Sequence, residues 1–132
     1  MSTLVAQTIS NGTVSTSSAN VIQGSAKAWV RFNGGDGNTA GVINASFNVS
    51  SVTANSAGNF TINFTTAMPN TNYVLTGTTK TYNGDRLCVI CEPFSGTRTT
   101  SALQILAGGS GAATSSGFVF ALPNISVAIL ST

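Results

Sequence analysis

From residue 26 onward, apolar and polar positions alternate with a period of two, the pattern of strands half-buried against a core. Ala28, Val30 and Phe32 share one face of a segment that ends at the turn-forming run Asn33-Gly34-Gly35-Asp36-Gly37. Ile43, Ala45, Phe47 and Val49 point one way, and Asn44, Ser46, Asn48 and Ser50 the other. Phe60, Ile62 and Phe64 alternate in the same manner with Asn59, Thr61, Asn63 and Thr65. Asn55-Ser56-Ala57-Gly58-Asn59 reads as the hairpin turn before that run, and a change of parity near Ser51-Val52 predicts a bulge.

Further strands follow at residues 73–79 and 87–92, around Asn83-Gly84, a dipeptide suited to a tight hairpin. Ser101, Leu103, Ile105 and Ala107 make another inward face. A loop of small residues at 108–117 leads to strands at 118–122 and 125–130. No apolar stripe of helical period persists for three turns. The expected fold is therefore all-β, an antiparallel β-sandwich of the jelly-roll or immunoglobulin-like kind. Residues 26–132 form the head, and residues 1–25, polar and without charge, form an extended N-terminal arm with a short strand at 4–9. The strands at 87–91 and 125–130 are apolar on both faces, so a second face needs cover from the arm or a neighbouring subunit. This predicts an oligomer.

Composition narrows the chemistry. The 132 residues hold five Lys and Arg, three Asp and Glu, and no His. Proton transfer, metal ligation and phosphate capture draw mainly on those types, so the expectation is a protein that is not an enzyme and takes no cofactor or metal. The formal charge of +2 comes without any basic run, which argues against nucleic acid as a partner. No segment reaches the length needed to span a bilayer, so no membrane insertion is expected. The first residues lack a basic region and apolar core of signal-peptide type, which predicts synthesis in a cytoplasm.

Individual motifs lead the same way. Cys88-Val-Ile-Cys91 has metal-site spacing, but zinc needs two further ligands and the chain has no His or third Cys. On a strand the two thiols face opposite sides, and both are expected to be buried and structural. Asp36 among glycines makes a turn rather than a calcium site. Asp85 and Glu92 stand too far apart along a strand, roughly 23 Å, to act as a glycosidase pair.

Two surfaces remain. Lys27, Trp29 and Arg31 share parity, so two cations flank an indole. That face is either a platform for stacking a sugar or base, or, preferred on sequence grounds, a subunit contact with cation stems packed along the ring. The loops carrying Lys80, Tyr82, Asn83 and Arg86, and then Phe94 and Arg98, are expected together at one end of the sandwich as a recognition rim.

At Lys27-Ala-Trp-Val-Arg-Phe-Asn-Gly34, Ser46-Phe-Asn-Val-Ser-Ser-Val-Thr53 and Gly58-Asn-Phe-Thr-Ile-Asn-Phe-Thr-Thr-Ala-Met-Pro-Asn-Thr-Asn-Tyr73, the chain resembles a module recurrent in bacteriophage tail fibre and related virion proteins. The order and spacing of the three blocks match over residues 27–76. The resemblance implies a homotrimer in the virion, made in the host cytoplasm. Residues 1–25 would bind other virion proteins, and the β-rich end would face a host surface glycan or protein. Its place would be tail or baseplate, with a decoration protein on the capsid surface as the alternative.

Overall fold

In the computed structural model, which describes residues 5–35, 40–80, 88–109, 118–119 and 122–131, the alternating segments pair into two antiparallel sheets. The strands of the first sheet are β3 (Ala26–Gly34), β4 (Ile43–Phe47), β7 (Val74–Lys80) and β11 (Leu122–Leu130), in the order β4-β3-β11-β7. The second sheet contains β5 (Val49–Ser56), β6 (Asn59–Phe64) and β9 (Ala102–Gly109), with β8 (Cys88–Cys91) and the short β10 (Phe118–Val119) also pairing with β9. The fold is the expected antiparallel sandwich. Its first and last head strands, β3 and β11, lie side by side in the middle of one sheet.

The core is the set of inward positions that the alternation marks. Ala28, Val30 and Phe32 from β3 and Ile125, Val127 and Ile129 from β11 meet Phe60, Ile62 and Phe64 from β6 and Leu103, Ile105 and Ala107 from β9, all buried. Burying each large side chain contributes about 1.5–3 kcal/mol. Phe32 and Phe60 join the sheets edge to face, with ring centroids 5.0 Å apart.

The run from Ile43 to Ser50 departs from the expected single strand. The chain leaves the first sheet at Phe47 and enters the second at Val49, turning through Asn48 at φ 54°. Asn tolerates this left-handed conformation better than most side chains. The Asn48 amide donates to the carbonyls of Lys27 (3.0 Å) and Thr66 (3.1 Å), and its Oδ1 accepts from the Thr66 N–H at 2.7 Å. Alternation continues across this corner while the inside of the sandwich changes sides. Of the expected apolar face, only Val49 is buried, and Phe47 is 55% exposed. The β5–β6 turn follows expectation with Gly58 at φ 69°, and register shifts fall at Val49/Ser51 and Ala54/Ser56.

Chain continuity joins β4 to β5 on one side of the sandwich, and β7 packs against β8 on the other. Gly77 permits that second approach: a Cβ there would stand 3.0 Å from Ile90 Cδ1 and 2.7 Å from the Ser126 carbonyl oxygen. The doubly apolar strands resolve unequally. On β8, Cys88 and Ile90 pack against the core while Val89 and Cys91 face out. On β11 the second face is Ser126, Ala128 and Leu130, all half-buried.

The N-terminal arm, expected to be extended, has local structure of its own. β1 (Thr8–Ser10) and β2 (Ser15–Ser17) form a hairpin, and α1 (Ser18–Gly24) follows directly. Ser17 caps the helix, its hydroxyl accepting from the Asn20 N–H at 3.2 Å. The helix buries no residue, and Val5, Ile9, Val14, Val21 and Ile22 are exposed.

Candidate binding face

The outward faces of the two sheets differ in kind. On the second sheet, short polar side chains hydrogen-bond to each other across strands. Asn63 Nδ2 donates to Ser51 Oγ at 3.0 Å and lies 3.3 Å from Thr53 Oγ1. Asn55 Nδ2 reaches Thr61 Oγ1 at 2.9 Å, and Gln104 Nε2 donates to Asn59 Oδ1 at 2.9 Å. This face satisfies much of its own hydrogen-bonding capacity and is covered by polar groups.

The first sheet presents something else. Cross-strand register puts Trp29 beside Phe47 on β4 and beside Ala128 on β11, which in turn pairs with Thr76 on β7. In the next row Arg31 stands beside Ser126, itself paired with Thr78; further along, Asn124 pairs with Lys80. The small side chains of β11 leave a trough between the larger ones of β3 and β7. Two adjoining concavities occupy it, of about 500 and about 340 Å³, and both are lined by Arg31, Thr78 and Ser126. Trp29 borders the larger and Lys80 the smaller.

Of the three residues expected to share this face, Trp29 and Arg31 are exposed on it. Lys27 is engaged elsewhere. Its ammonium donates to the Ile22 carbonyl at the end of α1 and to Ser25 Oγ, so it ties the arm to the head. Phe47, Thr78, Asn124, Ser126 and Ala128 were not singled out from sequence. Strand parity alone points Thr78, Ser126 and Ala128 outward, but only the β3-β11-β7 pairing brings them beside Trp29.

The expected single rim divides in two. Lys80 ends β7, whereas Arg98 contacts residues at that strand's beginning, roughly 20 Å away at strand rise. Phe94 and Arg98 therefore belong to the end of the sandwich opposite Lys80. Tyr82, Asn83 and Arg86 lie outside the described residues, as do Asp36 and Asp85. Phe94 is fully exposed, but Arg98 is used internally. Its guanidinium pairs with Glu92, donates to the carbonyls of Thr71 (3.0 Å) and Tyr73 (2.6 Å), and lies over the Tyr73 ring. The hydrogen bond to Glu92 is the leading reason its pKa is raised above the ordinary guanidinium value.

The two thiols are free, Cys88 half-buried and Cys91 exposed, so the expectation that both are buried fails at Cys91. The physical reason is that β8 lies at the sheet's border, with one face turned outward. Among the described residues no group of His, Cys, Asp and Glu could hold a metal ion. Nor is any helix among them long and apolar enough to cross a membrane. Compared with protein-family models, with curated proteins and with solved structures, the chain matches none.

Proposed function

We propose that this chain is a non-enzymatic structural protein of a bacteriophage virion, a short tail fibre or fibre tip that presents a trimeric β-sandwich to the host surface. Residues 1–25 attach it to other virion proteins, and the head meets a host glycan or protein. The carrying observation is the contrast between the two outer sheet faces. One is a closed polar ladder, while the other displays Trp29, Phe47, Arg31 and Lys80 with much of their surface exposed and, among the described residues, much of the donor capacity of the two cations unused. A binding surface needs such groups, and the chain has few others to offer. The resemblance of residues 27–76 to the phage fibre module supports the same reading.

A second reading, a capsid decoration or head-fibre protein, draws on the arm. Its hairpin and helix leave Val5, Ile9, Val14, Val21 and Ile22 exposed, an apolar set suited to clamping between shell subunits. Imaging of intact particles with labelled antibody separates the readings. Tail or baseplate labelling supports the fibre, a regular head lattice supports decoration, and particles without the protein overturn both. For the fibre, purified protein is expected to block phage adsorption; folded trimer that leaves adsorption unchanged overturns the attachment role.

A further inference from the structure

Resting on the surface-attachment reading, we infer that the trough along β11 is a binding site for an acidic oligosaccharide. The trough floor runs from Ala128 through Ser126 to Asn124, roughly 13 Å at strand rise, and suits an extended, narrow ligand. At one end stands Trp29, 41% exposed, its backbone held between the paired strands β4 and β11. An indole face anchored in this way accepts the C–H face of a pyranose ring. Ser126 and Thr78 place hydroxyls beside it, where a sugar needs donors and acceptors.

The other end is cationic. Arg31 has five N–H donors, and among the described residues its side chain makes one hydrogen-bond approach, Nη2 to Asn124 Oδ1 at 3.5 Å, the limit of a hydrogen bond. Among the described residues, the Lys80 ammonium donates to no group. Glu92, the one acidic side chain among those residues, is paired with Arg98 beside the start of β7. Arg31 and Lys80 both line the smaller concavity, so an anionic group seated there meets two cations and, among the described residues, no competing carboxylate. Acidic sugar is the chemistry that fits both ends together. Two cations are too few for a nucleic-acid backbone. A two-fold contact that sets this face against itself in a second copy would oppose like charges and bury Arg31 without an anion.

The test uses the full chain in its native assembly. Titration calorimetry would measure binding of oligogalacturonate, sialyllactose and a heparin oligosaccharide against methyl-esterified oligogalacturonate, lactose and inorganic phosphate. At least one acidic saccharide is expected to bind, with its neutral counterpart about tenfold or more weaker and affinity falling as salt rises. Trp29→Ala and the pair Arg31→Gln and Lys80→Gln are each expected to weaken binding about tenfold, with unchanged melting and unchanged sedimentation. Three results would overturn the inference: no binding of any acidic saccharide by folded protein, phosphate binding as tightly as the saccharides, or a Trp29→Ala protein that dissociates into subunits. The last would make the trough a contact between copies. Failure here in a protein that particle imaging places on the tail leaves the fibre reading standing, whereas absence from particles removes that reading whatever the trough binds.

Discussion

The guanidinium carbon of Arg98 lies 4.5 Å from the centroid of the Tyr73 ring, and the same side chain donates to the Tyr73 carbonyl at 2.6 Å. The phenol in turn donates to the Thr99 carbonyl at 2.9 Å, so the segment after β8 and the start of β7 hold each other. Phe64 meets Tyr73 edge to face at 5.9 Å and ties this clasp to the core.

Arg98→Ala is therefore expected to destabilise the fold by about 2 kcal/mol, the range for hydrogen bonds to a charged group. The ion pair is a minor part of that loss, because both partners are about one-third exposed. Glu92→Gln should then cost less than about 1 kcal/mol. Arg98→Lys should recover little, since an ammonium lacks the planar fork that reaches two carbonyls and a ring at once. Urea unfolding of the three variants checks the ranking; equal losses for Arg98→Ala and Glu92→Gln would place the energy in the ion pair instead.

Burial raises the Tyr73 pKa above its ordinary 10.0, with Arg98 opposing the rise and Glu92 adding to it. The folded state thus favours the neutral phenol. The corresponding stability is complete below about pH 10 and is lost as pH climbs through the folded value. The urea midpoint should fall in alkaline solution above about pH 10. In Tyr73→Phe that fall should be smaller, on a baseline lowered by about 1 kcal/mol for the missing hydrogen bond.

On β8, Cys91 faces outward and Cys88 leans on the core. Brief iodoacetamide treatment of native protein should modify Cys91 well ahead of Cys88, read by peptide mass spectrometry. Cys91→Ser should change stability by no more than about 0.5 kcal/mol, while Cys88→Ser, which puts a hydroxyl against apolar neighbours, should cost about 1 kcal/mol or more. Equal labelling rates would contradict the assigned orientation of the strand.

Alternation was a reliable guide wherever a strand stays in one sheet. Phe60, Ile62 and Phe64 are buried in sequence with Asn59, Thr61 and Asn63 facing out, because one side of β6 meets the core along its length. The same pattern misleads at Phe47, since a period of two carries no sign that the chain changes sheets at the next residue. The helix α1 has no apolar stripe to announce it, although Ser17 before Ala19-Asn20 is a legible cap. Arg98 looked like a free recognition residue because its partners at Thr71 and Tyr73 are more than twenty residues away and only the packed fold joins them. Trp29 and Arg31 were legible as an outward pair; the trough beside them was not, for it depends on β11 pairing between β3 and β7.

Asn48 carries the consequence of that change of sheet. Its side chain makes three hydrogen bonds, to Lys27 at the start of β3 and to both backbone groups of Thr66 just beyond β6. One amide thus pins the corner to both sheets at a φ that most residues resist. Asn48→Ala loses the bonds and keeps the strain, so a loss of about 3 kcal/mol is expected. Asn48→Gly loses the same bonds without the strain and should fall about 1 kcal/mol short of that figure. Asn48→Asp separates geometry from charge: one oxygen can still accept from the Thr66 N–H, but the other faces two carbonyls. Two facing carbonyls raise the folded-state pKa of that carboxyl, so the deficit should match the alanine variant near neutrality, shrink as pH falls through the raised value, and reach its minimum by about pH 4, where the protonated carboxyl donates again. A deficit that stays constant down to low pH would mean that the corner is held by backbone conformation and not by the donated hydrogens.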